Sequence, residues 1–526
     1  MKNTFRVPVF LVLAFSVAGR LLAGQGDLGR TQFANSGSAA AQQSFLRGLL
    51  LLHSFEYEDA GEAFREAERI DPSFAMAYWG EAMTYNHPLW MQQNRDAARN
   101  ALDRLAPTPE ARLARAPTAR EKAYLEAVEI LYGEGDKASR DRAYADAMRR
   151  LHEAYPDDLD AAAFYALSIL GTSEGKRDFA TYMRAAAVAE DVFAKNPQHP
   201  GAVHYLIHCY DDPIHAPLGM RPARVYAKIA PAATHALHMP SHIFFALGMW
   251  QDAVSSNEAS WQASLDRARR KGLGAGSHSH HALSWLEYAD LQLGRFDDAR
   301  RTLTTMQQDQ KESPSSETTN YLGGMRAAWI VETGRCTEDV MAMGSALGSP
   351  GARELFVQGS CSLARKDRAG AEAALAAMEE LPAGAGAAGH AHDGASARYD
   401  RDREVAAVLA RELEAKIALA RGDGDAAVRL ALEAAALEDA MTFDFGPPDV
   451  VKPSHELAGE IYLALGRPAE AQKEFEKSLA HAPGRAQSLL GLARAAAKTG
   501  DTATSAEAYG KLRANWSRAG EPPPAL

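Results

Sequence analysis

Small and apolar residues recur along most of the chain at helical spacing, in helix-length segments separated by Gly-Asp or Gly-Arg turns. The clearest stretch is 452–485, where Gly459, Tyr462, Gly466, Ala471, Phe475 and Ser478 alternate small and bulky positions ahead of Pro483. Small residues at Gly459 and Ala471 let two antiparallel helices approach closely. Tyr462 and Phe475 fill the gap between them, and Pro483 ends the second helix. The same 34-residue ruler fits 41–74 (Gly48, Ala60, Phe64, Ala67, Pro72), 234–267 (Ser241, Phe244, Gly248, Ala253, Ser260) and 280–313 (Leu286, Gly294, Ala299). Fainter copies start near 75, 166, 200, 320, 352, 408 and 486, while 102–160 is helical in pattern but off register. No sustained alternating, β-branched run of the kind a sheet needs is present. The pattern predicts an all-α chain of stacked antiparallel helix pairs, one elongated array instead of several compact domains.

The spacing of small, aromatic and proline positions in 452–485 resembles the tetratricopeptide repeat (TPR) family, with Ser478 where alanine is commoner. The resemblance covers most of the chain and implies an α-solenoid, a TPR-like superhelix whose first helices line a concave groove. It implies a binding scaffold for a protein segment or small ligand, and leaves the partner open because this scaffold serves many.

The chain divides on this reading into a signal peptide (1–23), a flexible lead (24–40), an N-terminal TPR array (41–267) and middle TPR-like repeats (268–380). A Gly/Ala-rich linker (381–398), a helical repeat (399–442), a Pro-rich loop (443–453) and C-terminal TPR repeats (454–526) follow. Lys2 and Arg6, the short apolar run from Val7 to Ala18 and the small residues after it have the layout of a secretory signal, too short to span a bilayer. The expected location is therefore outside the cytoplasm, periplasmic or secreted, with no membrane span beyond that signal. Loss of Lys2, Arg6 and Arg20 with residues 1–23 would move the net charge from -11 to -14. An acidic chain without a basic stripe is not a nucleic-acid binder. Of three cysteines, Cys336 and Cys361 fall in neighbouring repeats and are a candidate bridge, leaving Cys209 as a buried thiol.

Histidines recur at the repeat length. His204 and His208 return as His238 and His242, and His53 returns as His87, each 34 residues on. Residues one repeat apart lie side by side in a stacked array, so this pattern describes a spatial cluster. The family's ligand-facing positions on the first helix, carried over here, are occupied by His204, His208, Asp211 and Asp212 in one repeat. His235, His238 and His242 occupy them in the next, and His281 in the one after. His204 and His208, spaced i, i+4, share a helix face. Adjacent first helices stand about 8–10 Å apart, so two histidines on each can converge on one ion with Asp211 or Asp212 as an oxygen ligand. Imidazole plus carboxylate suits zinc, copper, nickel or iron.

Pro240 complicates the second pair. It removes a backbone donor and disfavours the α region at Met239, so either a helix starts there or it kinks there, and both re-aim His238. The set therefore centres on His204, His208 and His242. His215, in the Asp211–Gly219 turn, is a candidate ligand or proton shuttle and equally a solvated loop histidine. His53 and His87 sit near helix C-termini, where the dipole favours histidine in any case. His278, His280 and His281 form a short histidine tract.

Three readings follow. The first is an exported scaffold with a His/Asp transition-metal site in its groove. The second is a protein-interaction module whose histidines are polar groove residues. The third is a metal-dependent hydrolase built on the same cluster, although His204 to His208 lacks the acid of an HExxH motif.

Overall fold

The computed structural model describes residues 27–174, 176–342, 351–381, 395–443 and 445–520. These residues form an α-solenoid of stacked antiparallel helix pairs. The signal segment and most of the Gly/Ala-rich linker lie outside the described residues, and the helix Ala395–Ala420 begins inside the span read as linker.

The repeat ruler works through glycine. Phe475, on Pro468–His481, is wedged between Ser454–Ala464 and Ala486–Thr499. A Cβ on Gly459 would come within 2.8 Å of its ring, and one on Gly491 within 2.3 Å. Phe64 is held the same way between Gly48 and Gly80. The only sheet among the described residues is a two-stranded pairing of Asn86–His87 with Gln92–Gln93, inserted where the second helix pair turns.

The array curls until distant repeats touch. Asp59, at the start of the second helix, pairs with Arg267 and Lys271 at 2.6 Å each, and Glu56 accepts from the backbone N–H of His235 at 2.8 Å. Farther along, Trp250 donates to the carbonyl of Gly484 at 2.9 Å, and Gln292 accepts from the N–H of Ala486 at 2.8 Å. Gly248, at φ +67°, makes that contact possible, because a side chain there would strike the carbonyl of Pro483. Arg485 is fully buried and bridges Glu456 (2.8 Å), Glu332 (2.6 Å) and the Tyr288 hydroxyl (2.5 Å). C-terminal repeats are thereby pinned to the middle of the chain through paired buried charge.

The packing of the lead is a correction, and at Pro240 a helix does start, while Met239 departs from the expected non-helical backbone. The lead is packed over 27–40: Leu28 and Phe33 are buried, and Phe33 sits in a ring cluster with Phe45, Trp79 and Tyr124 at centroid distances of 5.2–5.8 Å. Backbone bonds from Arg30 to Gln198 and from Ala232 to Asp27 fix it across the array. Burial of these apolar side chains in the concave interior outweighs the segment's polar, Gly/Ser-containing composition. At Pro240, Met239 keeps right-handed helical dihedrals (φ -53°, ψ -36°). Two short helices, Thr234–His238 and Pro240–Ala246, run on almost without a break. The proline occupies a first-turn position, where its missing N–H has no partner to lose. Cys336 and Cys361 form a disulfide with Cα atoms 5.7 Å apart, and Cys209 is a buried free thiol.

Candidate functional site

First helices of three successive repeats, together with the loop after Cys209, bring six imidazoles into one cluster. Pro200–Cys209 contributes His204 and His208, Thr234–His238 contributes His235 and His238, Pro240–Ala246 contributes His242, and His280–Gln292 contributes His281. His204, His208 and His235 each place a ring nitrogen within 4.8 Å of the others. His238, His242 and His281 do the same, and His208, Asp211 and His242 form a third such group linking the two. His204, His208, His238, His242 and Asp211 are buried, while His235 and His281 are half-buried at the edge. These side chains are largely enclosed.

Second partners fix the tautomers. His204 Nδ1 lies 2.7 Å from the backbone carbonyl of His53, an acceptor only, so Nδ1 carries the hydrogen and Nε2 a lone pair. His238 Nδ1 lies 2.6 Å from Asn257 Oδ1, and the Asn257 amide is oriented by its own bond to the Ala253 carbonyl at 2.8 Å. His242 Nδ1 lies 2.5 Å from Asp211 Oδ2. Both of these rings therefore aim Nε2 inward, and the two Nε2 atoms face each other at 3.0 Å. In the neighbouring triad, His204 Nε2 is approached by Nε2 of both His208 and His235, each at 3.1 Å. Burial disfavours charge on five of the rings: it lowers His204 and His281 to about 3 and holds His208, His235 and His238 well below the usual imidazole range. Converging ring nitrogens beside a carboxylate are the kind of donors that could hold a transition metal.

The walls are aromatic. Phe55 packs on His204 with centroids 4.3 Å apart and reaches His208 and His235 at 5.9 and 5.7 Å. Its φ of +55° is left-handed, a costly conformation for a bulky residue, held by that packing. Trp90 lies beside His235 and Trp285 against His242. The Pro-rich loop returns from far along the chain to set Phe445 over His242 at 4.9 Å and near His208. Sequence reasoning passed over Phe55, Asn257 and Phe445. Only the FGPP composition around Phe445 carried any local signal.

The remaining histidine positions lie elsewhere. Asp212 is spent on the Arg177 guanidinium (3.0 Å), on His215 Nδ1 (2.9 Å) and on the loop N–H groups of Ile214 and His215. Arg177 also donates to the Cys209 carbonyl at 3.1 Å, closing the C-terminus of the His204 helix. His87 stacks on Tyr57 at 3.9 Å and reaches the Thr84 carbonyl. His53 is fully buried behind the site with its ring satisfied: Nε2 donates to Asp160 at 2.9 Å and Nδ1 accepts from the Tyr205 hydroxyl at 2.9 Å. Asp160 also accepts from Thr31 and faces His199 at 3.3 Å. His53 thus meets the cluster through its backbone carbonyl. The histidine tract divides, with His281 entering the cluster while His278 and His280 turn to Asp309 at 2.7 and 3.1 Å.

Residues 453–483 match a family model described as tetratricopeptide repeat. No curated protein matches the chain. Among solved structures, it is similar to yeast Tom70 (12% identity, 90% of this chain and 99% of that one, TM-score 0.37). It is also similar to the APC/C hetero-tetramer Cut9-Hcn1 (13% identity, 91% and 80%, TM-score 0.35). A third similar structure is the human IFIT1 dimer with m7Gppp-AAAA (14% identity, 94% and 93%, TM-score 0.34).

Proposed function

We propose that this chain is an exported TPR-like scaffold that binds a transition metal in its histidine cluster and a protein segment or small ligand on its concave side. The observation that carries the metal reading is the facing of His238 Nε2 and His242 Nε2 at 3.0 Å, each ring having its Nδ1 hydrogen committed to an oxygen acceptor. With both Nδ1 atoms held by oxygen partners, the two Nε2 atoms are the ones left to point at a cation between the rings. His204, His208, His235 and His281 supply further nitrogens, and Asp211 a carboxylate oxygen. When bound, a zinc, copper, nickel or iron ion would supply a structural clamp between three repeats and a Lewis-acid centre.

Partner binding is supported by the repeat class, because solenoids of helix pairs present extended recognition surfaces. Export is supported by the charged and apolar start of the sequence and by the Cys336–Cys361 disulfide, a bond that persists in oxidising compartments. Among the described residues no helix is long and apolar enough to cross a membrane.

The deciding experiment is metal analysis of protein purified without a polyhistidine tag, beside a His204→Ala/His208→Ala variant. Bound transition metal in the wild type, reduced in the variant, is expected, together with a melting temperature that rises on adding the metal. Metal-free wild type whose melting ignores zinc, copper, nickel and iron overturns the metal reading and leaves a plain protein-interaction module.

A further inference from the structure

Six imidazoles exceed what one tetrahedral ion takes, and their arrangement is divided. His204, His208 and His235 form one compact triad, and His238, His242 and His281 another. Each triad converges its own ring nitrogens. In the first, His204 Nε2 has a single lone pair, yet two ring nitrogens approach it at 3.1 Å. At most one of them can donate well, so the other is left without a hydrogen-bonding role. In the second, His238 Nε2 and His242 Nε2 face each other across 3.0 Å, with each ring's Nδ1 held by an oxygen partner. A cation in one triad leaves the convergence in the other untouched.

The triads are also adjacent. Rings of His208 and His242 lie 5.6 Å apart, and those of His235 and His238 6.1 Å apart. Asp211 stands between the halves, with a carboxylate oxygen within 4.8 Å of a ring nitrogen of both His208 and His242. Its Oδ2 is held by His242, while its Oδ1 is buried without a hydrogen-bond partner. An unpartnered carboxylate oxygen, buried between two nitrogen triads, is the charge that two neighbouring cations require.

Resting on the metal-binding reading, we infer that the cluster is a two-ion centre: one ion on His204, His208 and His235, a second on His238, His242 and His281, with Asp211 serving both. The ions are first-row transition metals in nitrogen-rich coordination, and the adjacency makes them interact.

The test uses the full chain, stripped by chelator and titrated with zinc or with copper(II) as the only added ligand. Metal per chain is measured after desalting. His235→Ala and His281→Ala remove one half-buried ligand from each half, with thermal melting of the stripped proteins checking that both fold. Two tightly held ions per wild-type chain are expected, and one in each variant. With copper(II), wild type should give an electron-paramagnetic intensity well below two spins per chain because the ions couple, and each variant a full single spin. One ion per wild-type chain overturns the two-ion centre while leaving the metal site standing, and no ion overturns both. Two ions that neither variant reduces, or that either variant loses together, also overturn the assignment. If both variants fail to fold, His204→Gln and His238→Gln are measured in their place against the same outcomes.

Discussion

Nδ1 of His204 donates to the backbone carbonyl of His53 at 2.7 Å, across 151 residues of sequence. The residue whose recurrence at the repeat length made it a candidate ligand acts here through its main chain. Its side chain meanwhile ties Asp160 and Tyr205 behind the cluster. Gly201 permits this approach, because a Cβ there would lie 2.3 Å from His53 Nδ1. A Gly201→Ala substitution is therefore expected to weaken metal binding without touching a ligand, by pushing His53 and its carbonyl away from His204. Competition against a chelator of known affinity measures it, and an unchanged affinity in a folded variant would refute this role for His53.

Asn257 makes a cleaner case. It offers Oδ1 to His238 Nδ1 at 2.6 Å and is fully buried. Removing such an outer partner lowers metal affinity by about 10–100-fold, because the ring loses both its fixed tautomer and its aim. Asn257→Ala should show that loss, and Asn257→Asp, which keeps an acceptor in place, should recover most of it. Equal losses in the two variants would show that packing alone was at stake.

Acid dependence follows from burial. An ordinary imidazole titrates near about 6.5, so an exposed histidine site releases protons on metal binding at about pH 6 and weakens there. His204 and His281 stay neutral down to about 3. Metal binding at about pH 6 should then release almost no protons from these two rings, with affinity changing little until the pH approaches about 4. Titration calorimetry in buffers of different ionisation heat reads this directly. In the stripped protein the sign for stability is separate. The unfolded chain takes up protons below about 6.5 that the folded chain refuses, so these rings' contribution is complete above that pH and is lost on acidification. Each ring contributes about 1.4 kcal/mol per pH unit across that window. A proton release near one per histidine at about pH 6 would contradict the enclosed, neutral cluster.

How much of this was legible depends on the range over which each signal acts. Phe475 against Gly459, or Phe64 against Gly48, is a contact within one repeat, so a 34-residue ruler finds it, whereas Gly491 and Gly80, which close the other side of each ring, lie off that spacing. His204 with His208, and His238 with His242, sit at i, i+4 one repeat apart, and adjacency follows from stacking. Asn257 meets His238 within one repeat, but a lone buried amide carries no pattern. Phe55 and Phe445 meet the cluster only after the array has curled, and no periodicity marks closure between residues 208 and 445. Asp211 and Asp212 were indistinguishable in sequence. They separate because Arg177, from the loop ahead of the helix Phe179–Lys195, takes Asp212. The lead was misread because composition does not reveal that Leu28 and Phe33 have an aromatic interior to enter.

Cysteine chemistry gives an independent check. With Cys336 bonded to Cys361 and Cys209 buried, the native chain should react with no thiol reagent and the denatured, unreduced chain with one equivalent. Replacing both bonded cysteines by serine should cost about 2–4 kcal/mol, through the larger conformational freedom of the unfolded chain. Thiol counting and urea melts test the two parts separately, and three reactive thiols in the unreduced chain would exclude the bridge.

Glu287, on the helix that carries His281, is fully buried, with neither carboxylate oxygen hydrogen-bonded. Burial, reinforced by Asp290 and Glu332, pushes its acid well above the usual carboxylate range. The folded chain thus retains a proton that the unfolded chain releases above about 4.5, so Glu287 withdraws stability as the pH rises. Glutamine has the same shape and nothing to ionise. Glu287→Gln should therefore match wild type near about pH 4.5 and become progressively more stable above it. The gap should widen by at most about 1.4 kcal/mol per pH unit until the folded-state group ionises. Urea unfolding of the two proteins at several pH values gives the gap directly, and parallel stability curves would mean that Glu287 is neutralised by a partner instead of by its own proton.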